Sequence, residues 1–325
     1  MNKIVKTVLI LLSIGFLAAA VMTNEKPSEV SGQLIIFHAG SLAVPFKQIC
    51  DEFKRFHPKV KVFREVAGSR LCARKITDLH RPCDVIASAD YTVIDTLLIP
   101  EYAEWNIKFA SNEMVIAFRE NTHRAAKISK DNWHDILLDK RVAFGRSDPD
   151  ADPCGYRAVL TIMLAERFYN RHGFADKMLA KDRRYIRPKE VDLLALLEAG
   201  ELDYIFIYRS VAEQHKLKYV VLPDHINLKK AEFADLYKSA SIRLTGKKPG
   251  TFITKTGTPI VYGVTIPRDA PNRKLALAFL AFLLDADKGG TTLERNGQAS
   301  IVPSPTDTFD KLPEALRVFA VPTER

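Results

Sequence analysis

The apolar positions of this chain alternate between short solid runs and longer stretches in which they recur every three or four residues. Residues 34–37 form a compact apolar run that reads as a strand. Leu42, Phe46, Ile49, Phe53 and Phe56 follow at the spacing of one buried helix face. Pro45 falls in the first turn of that helix, where a missing N–H removes no intrahelical bond. Residues 60–66 predict a second strand, 69–79 a second helix opened by Gly68-Ser69, and 84–88 a buried third strand. Further along, 113–118 and 142–144 read as strands, and Asp152-Pro153 opens a helix through Val159, Ile162 and Met163. Residues 188–199 predict a helix closed by Gly200, a favoured residue after a last helical turn. A strand at 204–208, another at 260–266 and a strongly apolar helix at 272–284 complete the pattern. The alternation predicts βαβ units and a parallel sheet in an α/β fold. Two lobes are expected, with ligand bound in a cleft beyond the carboxyl ends of the strands. No internal repeat or low-complexity tract is visible.

The first residues carry a different signal. Lys3 and Lys6 precede an apolar run at 8–20 that ends in small residues, the layout of a secretory signal peptide with cleavage near Ala18 to Ala20. The run is shorter than the roughly 20 residues that span a bilayer. No cysteine follows it to take a lipid anchor. The expected mature protein is therefore soluble and periplasmic or extracytoplasmic.

Composition is ordinary for a globular chain of 325 residues, with 47% hydrophobic and 27% charged positions. The formal net charge of +9 falls to +7 once Lys3 and Lys6 are removed. Such an excess keeps a protein soluble, and it also draws anions toward the surface. The aromatics are not interleaved with the basic residues, and no nucleic-acid motif is present. Cys72 and Cys83 are close in sequence with a short helix between them, and they form the expected disulfide in an oxidising compartment. The roles of Cys50 and Cys154 stay open.

Three places combine a strand end with a helix start: His38-Ala39-Gly40-Ser41, Ala67-Gly68-Ser69 and Asp152-Pro153-Cys154-Gly155. The first N–H groups of a helix have no intrahelical partner and bind anions, helped by the helix dipole. Glycine allows close approach and a serine hydroxyl adds a donor. Taken singly, each motif reads first as a plain N-cap, but two Gly-Ser turns in one exported chain suit an oxyanion receptor. Asp152 would repel a sulfate or phosphate. It would not repel an oxyanion whose central atom can accept further oxygen ligands, as molybdenum and tungsten can, so a carboxylate there acts as a selectivity device.

With these residues in view, the chain resembles the tungstate/molybdate-binding proteins of ABC importers, of the archaeal type. The resemblance rests on Phe37-His38-Ala39-Gly40-Ser41-Leu42, Ala67-Gly68-Ser69, the string from Asp84 to Tyr91, and Asp152-Pro153-Cys154-Gly155-Tyr156-Arg157. It continues through Gly200-Glu201-Leu202-Asp203-Tyr204 with Tyr208 beyond, and Pro259-Ile260-Val261-Tyr262-Gly263. The resemblance implies a type II periplasmic-binding-protein fold with two crossings between lobes. Lobe I would hold 32–115 and 260–325 and lobe II 116–259, with crossings near Ile116 and Val261. It also implies that Ser41, Ser69 and Tyr208 contact the oxyanion. Asp152 and Glu190 would complete six coordination of its metal, with Asp192 the alternative to Glu190. Cys72 and Cys83 are not typical of archaeal members and resemble bacterial versions. No resident cofactor is expected, and the expected partner of the monomeric protein is an importer's membrane permease.

Three other readings compete. His38 beside Ser41 could be a base and nucleophile, but no third group and no hydrolase, zincin or nucleotide motif accompanies them. Asp148, Asp150 and Asp152 have the spacing that opens a calcium loop, yet Pro153 and Val159 occupy positions where that loop needs glycine and glutamate. A sulfate receptor would use the Gly-Ser turns equally well, and only Asp152 and Glu190 argue against it.

Overall fold

The computed structural model describes residues 30–248 and 250–323. The proposed signal segment at 1–20 lies outside them. Fourteen strands are assigned among the described residues: β1 (Gly32–His38), β2 (Val60–Val66), β3 (Val85–Ser88), β4 (Ile107–Ser111), β5 (Met114–Phe118), β6 (Phe144–Ser147), β7 (Ile186–Arg187), β8 (Tyr204–Tyr208), β9 (Lys218–Val221), β10 (Ser241–Thr245), β11 (Phe252–Thr256), β12 (Val261–Thr265), β13 (Ser304–Thr306) and β14 (Ala320–Pro322). The helices that frame the site are α1 (Ala43–Phe56), α2 (Ser69–Thr77), α3 (Pro153–Phe168), α4 (Asp192–Ala199) and α5 (Arg273–Leu284).

Two five-stranded sheets define two lobes. The first has the order β2-β1-β3-β12-β4 and the second β7-β6-β8-β5-β9. Neither is the parallel sheet that the alternation predicts. β1 runs parallel to β2 and β3, but β12 is antiparallel to both β3 and β4. β6 runs parallel to β7 and β8, but β5 is antiparallel to β8 and β9. The reason is connectivity. A helix crossover imposes parallel pairing, whereas β5 and β12 enter their sheets directly from the other lobe. The chain leaves the first sheet after Ser111 and has joined the second by Met114. It returns between Thr256 and Val261. Ile116 is thus inside the second sheet, and the first crossing falls earlier, at Asn112 and Glu113.

The cores follow from the patterning with one correction. Along α1, Phe46, Ile49 and Phe53 are buried, and Phe53 packs edge-on against Phe279 and Phe282 of α5 at 5.4 and 5.5 Å. Phe56 continues the sequence stripe but is 62% exposed; in the last turn it reaches the edge of the core, against the Phe282 ring at 5.8 Å. In the second lobe Trp133 meets Phe174 and Phe206 edge-on. The helix expected over 188–199 begins only at Asp192. Pro188 to Val191 form a turn instead, preceded by the short strand β7. β10 and β11 pair as a separate antiparallel hairpin. All four cysteines are buried free thiols, so the structure does not contain the expected Cys72–Cys83 disulfide. Both lie in one apolar cluster, where Cys72 Sγ faces the carbonyls of His38 and Ala67 and Cys83 Sγ faces that of Val85. No helix among the described residues is long and apolar enough to cross a membrane.

The two phenylalanines of α1 should separate cleanly in denaturant unfolding. Phe53→Ala removes a fully buried ring and is expected to cost about 3–5 kcal/mol. Phe56→Ala is expected to stay within about 1 kcal/mol, as surface changes do.

Candidate functional site

The site is assembled where strand ends of both sheets meet. β1 ends at His38, and Gly40–Leu42 form a single tight turn before α1. β2 ends at Val66, and Gly68 caps α2, whose first residue is Ser69. From the second lobe, Asp152 caps α3, and Glu190 lies in the turn ahead of α4. Ser41, Ser69, Asp152, Glu190 and Tyr208 are all fully buried.

Contacts tie these residues into one cluster. Asp152 Oδ1 accepts from the main-chain N–H of Cys154 at 3.3 Å, and its Oδ2 accepts from that of Glu190 at 3.0 Å. Glu190 reaches across the cleft toward Gly40: a Cβ added there would sit 2.7 Å from Oε2. A Cβ on Gly68 would sit 2.3 Å from the carbonyl oxygen of Ala151 and 2.9 Å from the Asp152 side chain. Both Gly-Ser turns therefore bring lobe-one backbone against the acids of lobe two, as only glycine allows. Ser41 Oγ accepts from the Tyr262 hydroxyl at 2.9 Å, and the Tyr262 ring lies 6.1 Å from that of Tyr208. Ser69 Oγ accepts from the Ala89 N–H at 2.9 Å. Tyr208 ends β8, and its hydroxyl accepts from Arg157 Nη1 at 2.7 Å.

The electrostatics are unusual. Among the described residues, neither carboxylate oxygen of Glu190 has a hydrogen-bond partner. Burial, reinforced by the nearby charge of Asp152, pushes the Glu190 carboxyl well above the usual carboxylate range. Burial also raises Asp152. The two carboxyls are buried together beside the starts of α2 and α3. An acid buried in this way is costly to ionise.

Asp192 is one-third exposed at the start of α4 and pairs with Lys189 at 3.3 Å, so Glu190 is the acid that joins the cluster. His38 is buried against Phe46, with Nδ1 at 2.8 Å from the Ala39 carbonyl. Ser41 Oγ is engaged by Tyr262 instead, so His38 and Ser41 do not form a base and nucleophile. Asp148 accepts from the N–H of Asp150, and Asp150 accepts from Thr245; these acids make turns rather than a calcium loop. Sequence reasoning missed Tyr262, Asn112, Gln298, Asp90 and Arg157. Asn112 Nδ2 donates to Tyr262 at 3.0 Å and Gln298 Nε2 donates to the Ser41 carbonyl at 2.9 Å. Tyr262 and Arg157 stood inside recognisable strings, but nothing local marked their hydroxyl or guanidinium as facing the cleft. Asp90 had a signal: an acid two residues past the end of β3.

Two mixed α/β lobes joined by two chain crossings, with converging polar groups between them, define a solute receptor. Residues 34–298 match the model of the bacterial extracellular solute-binding proteins, and the chain belongs to that family. It is 50% identical over 305 residues to a solute-binding protein of Petrotoga mobilis, covering 94% of each chain. It is 43% identical over 344 residues to the molybdate/tungstate-binding protein WtpA of Pyrococcus abyssi, covering 97% of this chain and 96% of that one. Among solved structures it shares its fold with the periplasmic molybdate-binding protein of Azotobacter vinelandii, at 16% identity and a TM-score of 0.60 over 82% of this chain and 98% of that one. The sulfate-binding protein SubI of Mycobacterium tuberculosis also shares it, at 13% identity and a TM-score of 0.60 over 89% and 92%. The fold by itself thus does not choose the anion.

Two predictions follow from the packing around the turns. Gly68 has φ −57°, so alanine fits its backbone, but the added Cβ collides with the main chain of Ala151. Gly68→Ala is expected to hold the lobes apart while each stays folded. Small-angle scattering should show a larger radius of gyration with little change in Tm. The second concerns His38, whose pKa is lowered to about 4 by burial. The unfolded chain takes up this proton below its ordinary pKa and the folded chain resists it. Stability should therefore fall as pH drops from about 6.5 toward 4, by up to about 3 kcal/mol. Comparing His38→Gln with the parent in denaturant at pH 7 and 4.5 isolates that contribution.

Proposed function

We propose that this protein captures molybdate or tungstate outside the cytoplasm and delivers it to the membrane permease of an ABC importer, acting as a monomer with no resident cofactor and no turnover. The observation that carries this reading is the buried pair Asp152 and Glu190, set against Gly40 and Gly68 with the Glu190 oxygens unpartnered. Around sulfate or phosphate two such acids would be a liability, since neither central atom takes further oxygen ligands. Around molybdenum or tungsten they complete the metal's coordination. Ser41, Ser69 and Tyr208 supply donors to the oxyanion's own oxygens, beside the helix starts that favour negative charge. WtpA of Pyrococcus abyssi, named as a molybdate/tungstate-binding protein, supports the same ligand. Contacts from both lobes favour the closed form by differential affinity, and a closed, loaded receptor is what a permease can tell from an empty one.

Calorimetry with tungstate, molybdate, sulfate and phosphate tests the reading. The parent should bind the first two at least roughly 100-fold more tightly than sulfate, a difference of about 2.7 kcal/mol. Asp152→Ala and Glu190→Ala should each weaken tungstate binding and narrow that gap. Tight sulfate binding by the parent, or parent-like tungstate binding by both variants, would overturn the assignment.

A further inference from the structure

Asp90 is a further fully buried acid near the cleft, and its surroundings are the opposite of those of Glu190. From its own lobe it receives the N–H and hydroxyl of Thr92, both at 2.9 Å on Oδ1. Three groups of the other lobe converge on Oδ2: the Tyr156 hydroxyl at 2.5 Å, Lys255 Nζ at 2.6 Å and Arg157 Nη2 at 3.5 Å. Lys255 comes from β11, and its Nζ also bonds the Thr92 hydroxyl. Arg157 Nη1 donates across the cleft to the Ala89 carbonyl at 2.6 Å and, within its own lobe, to the Tyr208 hydroxyl oxygen at 2.7 Å. That bond occupies the acceptor side of Tyr208 and turns its proton away from the guanidinium, leaving it free to donate into the site.

We propose that Asp90 and Lys255 form a latch across the cleft that sets how tightly the protein holds its oxyanion, with Arg157 as the positioning residue that connects the latch to Tyr208. Every partner of Asp90 Oδ2 belongs to the second lobe, so these contacts exist only while the lobes are together. Opening strips the acid of two cations and a hydroxyl, and strips Arg157 of its counter-ion. The latch does not touch the anion. It therefore adds the same free energy to closure whichever oxyanion is bound, in contrast to Asp152 and Glu190, whose contribution depends on the central atom.

This inference rests on the ligand reading above, and the experiment keeps the two apart. Tungstate and molybdate binding is measured by calorimetry for the parent, Asp90→Asn, Lys255→Met and Tyr208→Phe, with interlobe distance followed by fluorescence transfer between dyes on the two lobes. Both latch variants should bind both oxyanions at least roughly tenfold more weakly, keep the tungstate-to-molybdate ratio within about twofold of the parent, and populate longer interlobe distances. Lys255 lies at the rim of the cleft, so its variant carries the test if Asp90→Asn fails to fold. The Asp90→Asn or Lys255→Met change combined with Tyr208→Phe should be non-additive. Parent-like affinity and distances in Lys255→Met, a shifted ratio, or strict additivity with Tyr208→Phe would overturn the proposal. A parent that does not bind tungstate would defeat the ligand reading alone, because the distances without ligand still report the latch.

Discussion

A carboxyl group buried without a cation is among the costliest arrangements a protein can keep, and this fold keeps two in contact. Asp152 is partly satisfied by the N–H groups of Cys154 and Glu190. Glu190 has no cation beside it among the described residues, and its backbone N–H donates to Asp152. Much of the local architecture serves to hold this pair: the cap of α3 fixes Asp152, and the turn at Pro188 to Val191 places Glu190 short of α4 rather than on its exposed face. Glycines at 40 and 68 let the opposite lobe close over both acids. On the proposed function, the unfavourable pair becomes useful when something electron-poor lies between the oxygens.

The same cleft holds acids of two kinds. Asp90 is surrounded by Lys255, Arg157 and Tyr156. Burial alone would raise its pKa, but those two cations outweigh burial and the net shift is downward. Glu190 has no cation and shifts upward. One acid is held charged by cations of the opposite lobe, and the other is favoured in its neutral form. The division separates two properties of a receptor that are often discussed together, namely how readily it closes and what it closes on.

Much of this was legible from residue order. The Gly-Ser turns, the Asp152 cap and the strand ends before them are local features, and the structure places them where strand-to-helix junctions must lie. Strand direction was not legible, because alternation of strand and helix says nothing about a strand that arrives from another lobe, as β5 and β12 do. The start of α4 was misplaced because Pro188 imitates a first helical turn, while the Glu190 N–H is drawn to Asp152, a residue 38 positions away. Phe56 satisfied the helical spacing yet lies at the edge of the core, mostly exposed. Cys72 and Cys83 are near in sequence and share an apolar cluster, but each thiol faces a carbonyl. Tyr262, Asn112 and Gln298 were hidden because their roles consist of long-range hydrogen bonds that no local pattern announces.

The central claim is that Asp152 and Glu190 bond to the metal of the captured oxyanion rather than merely surrounding it. X-ray absorption at the tungsten L3 edge of the tungstate-loaded protein reads this directly. Six oxygen neighbours in two shells, falling to fewer in Glu190→Ala, are the result predicted here. Four equal oxygens, as in free tungstate, would contradict it.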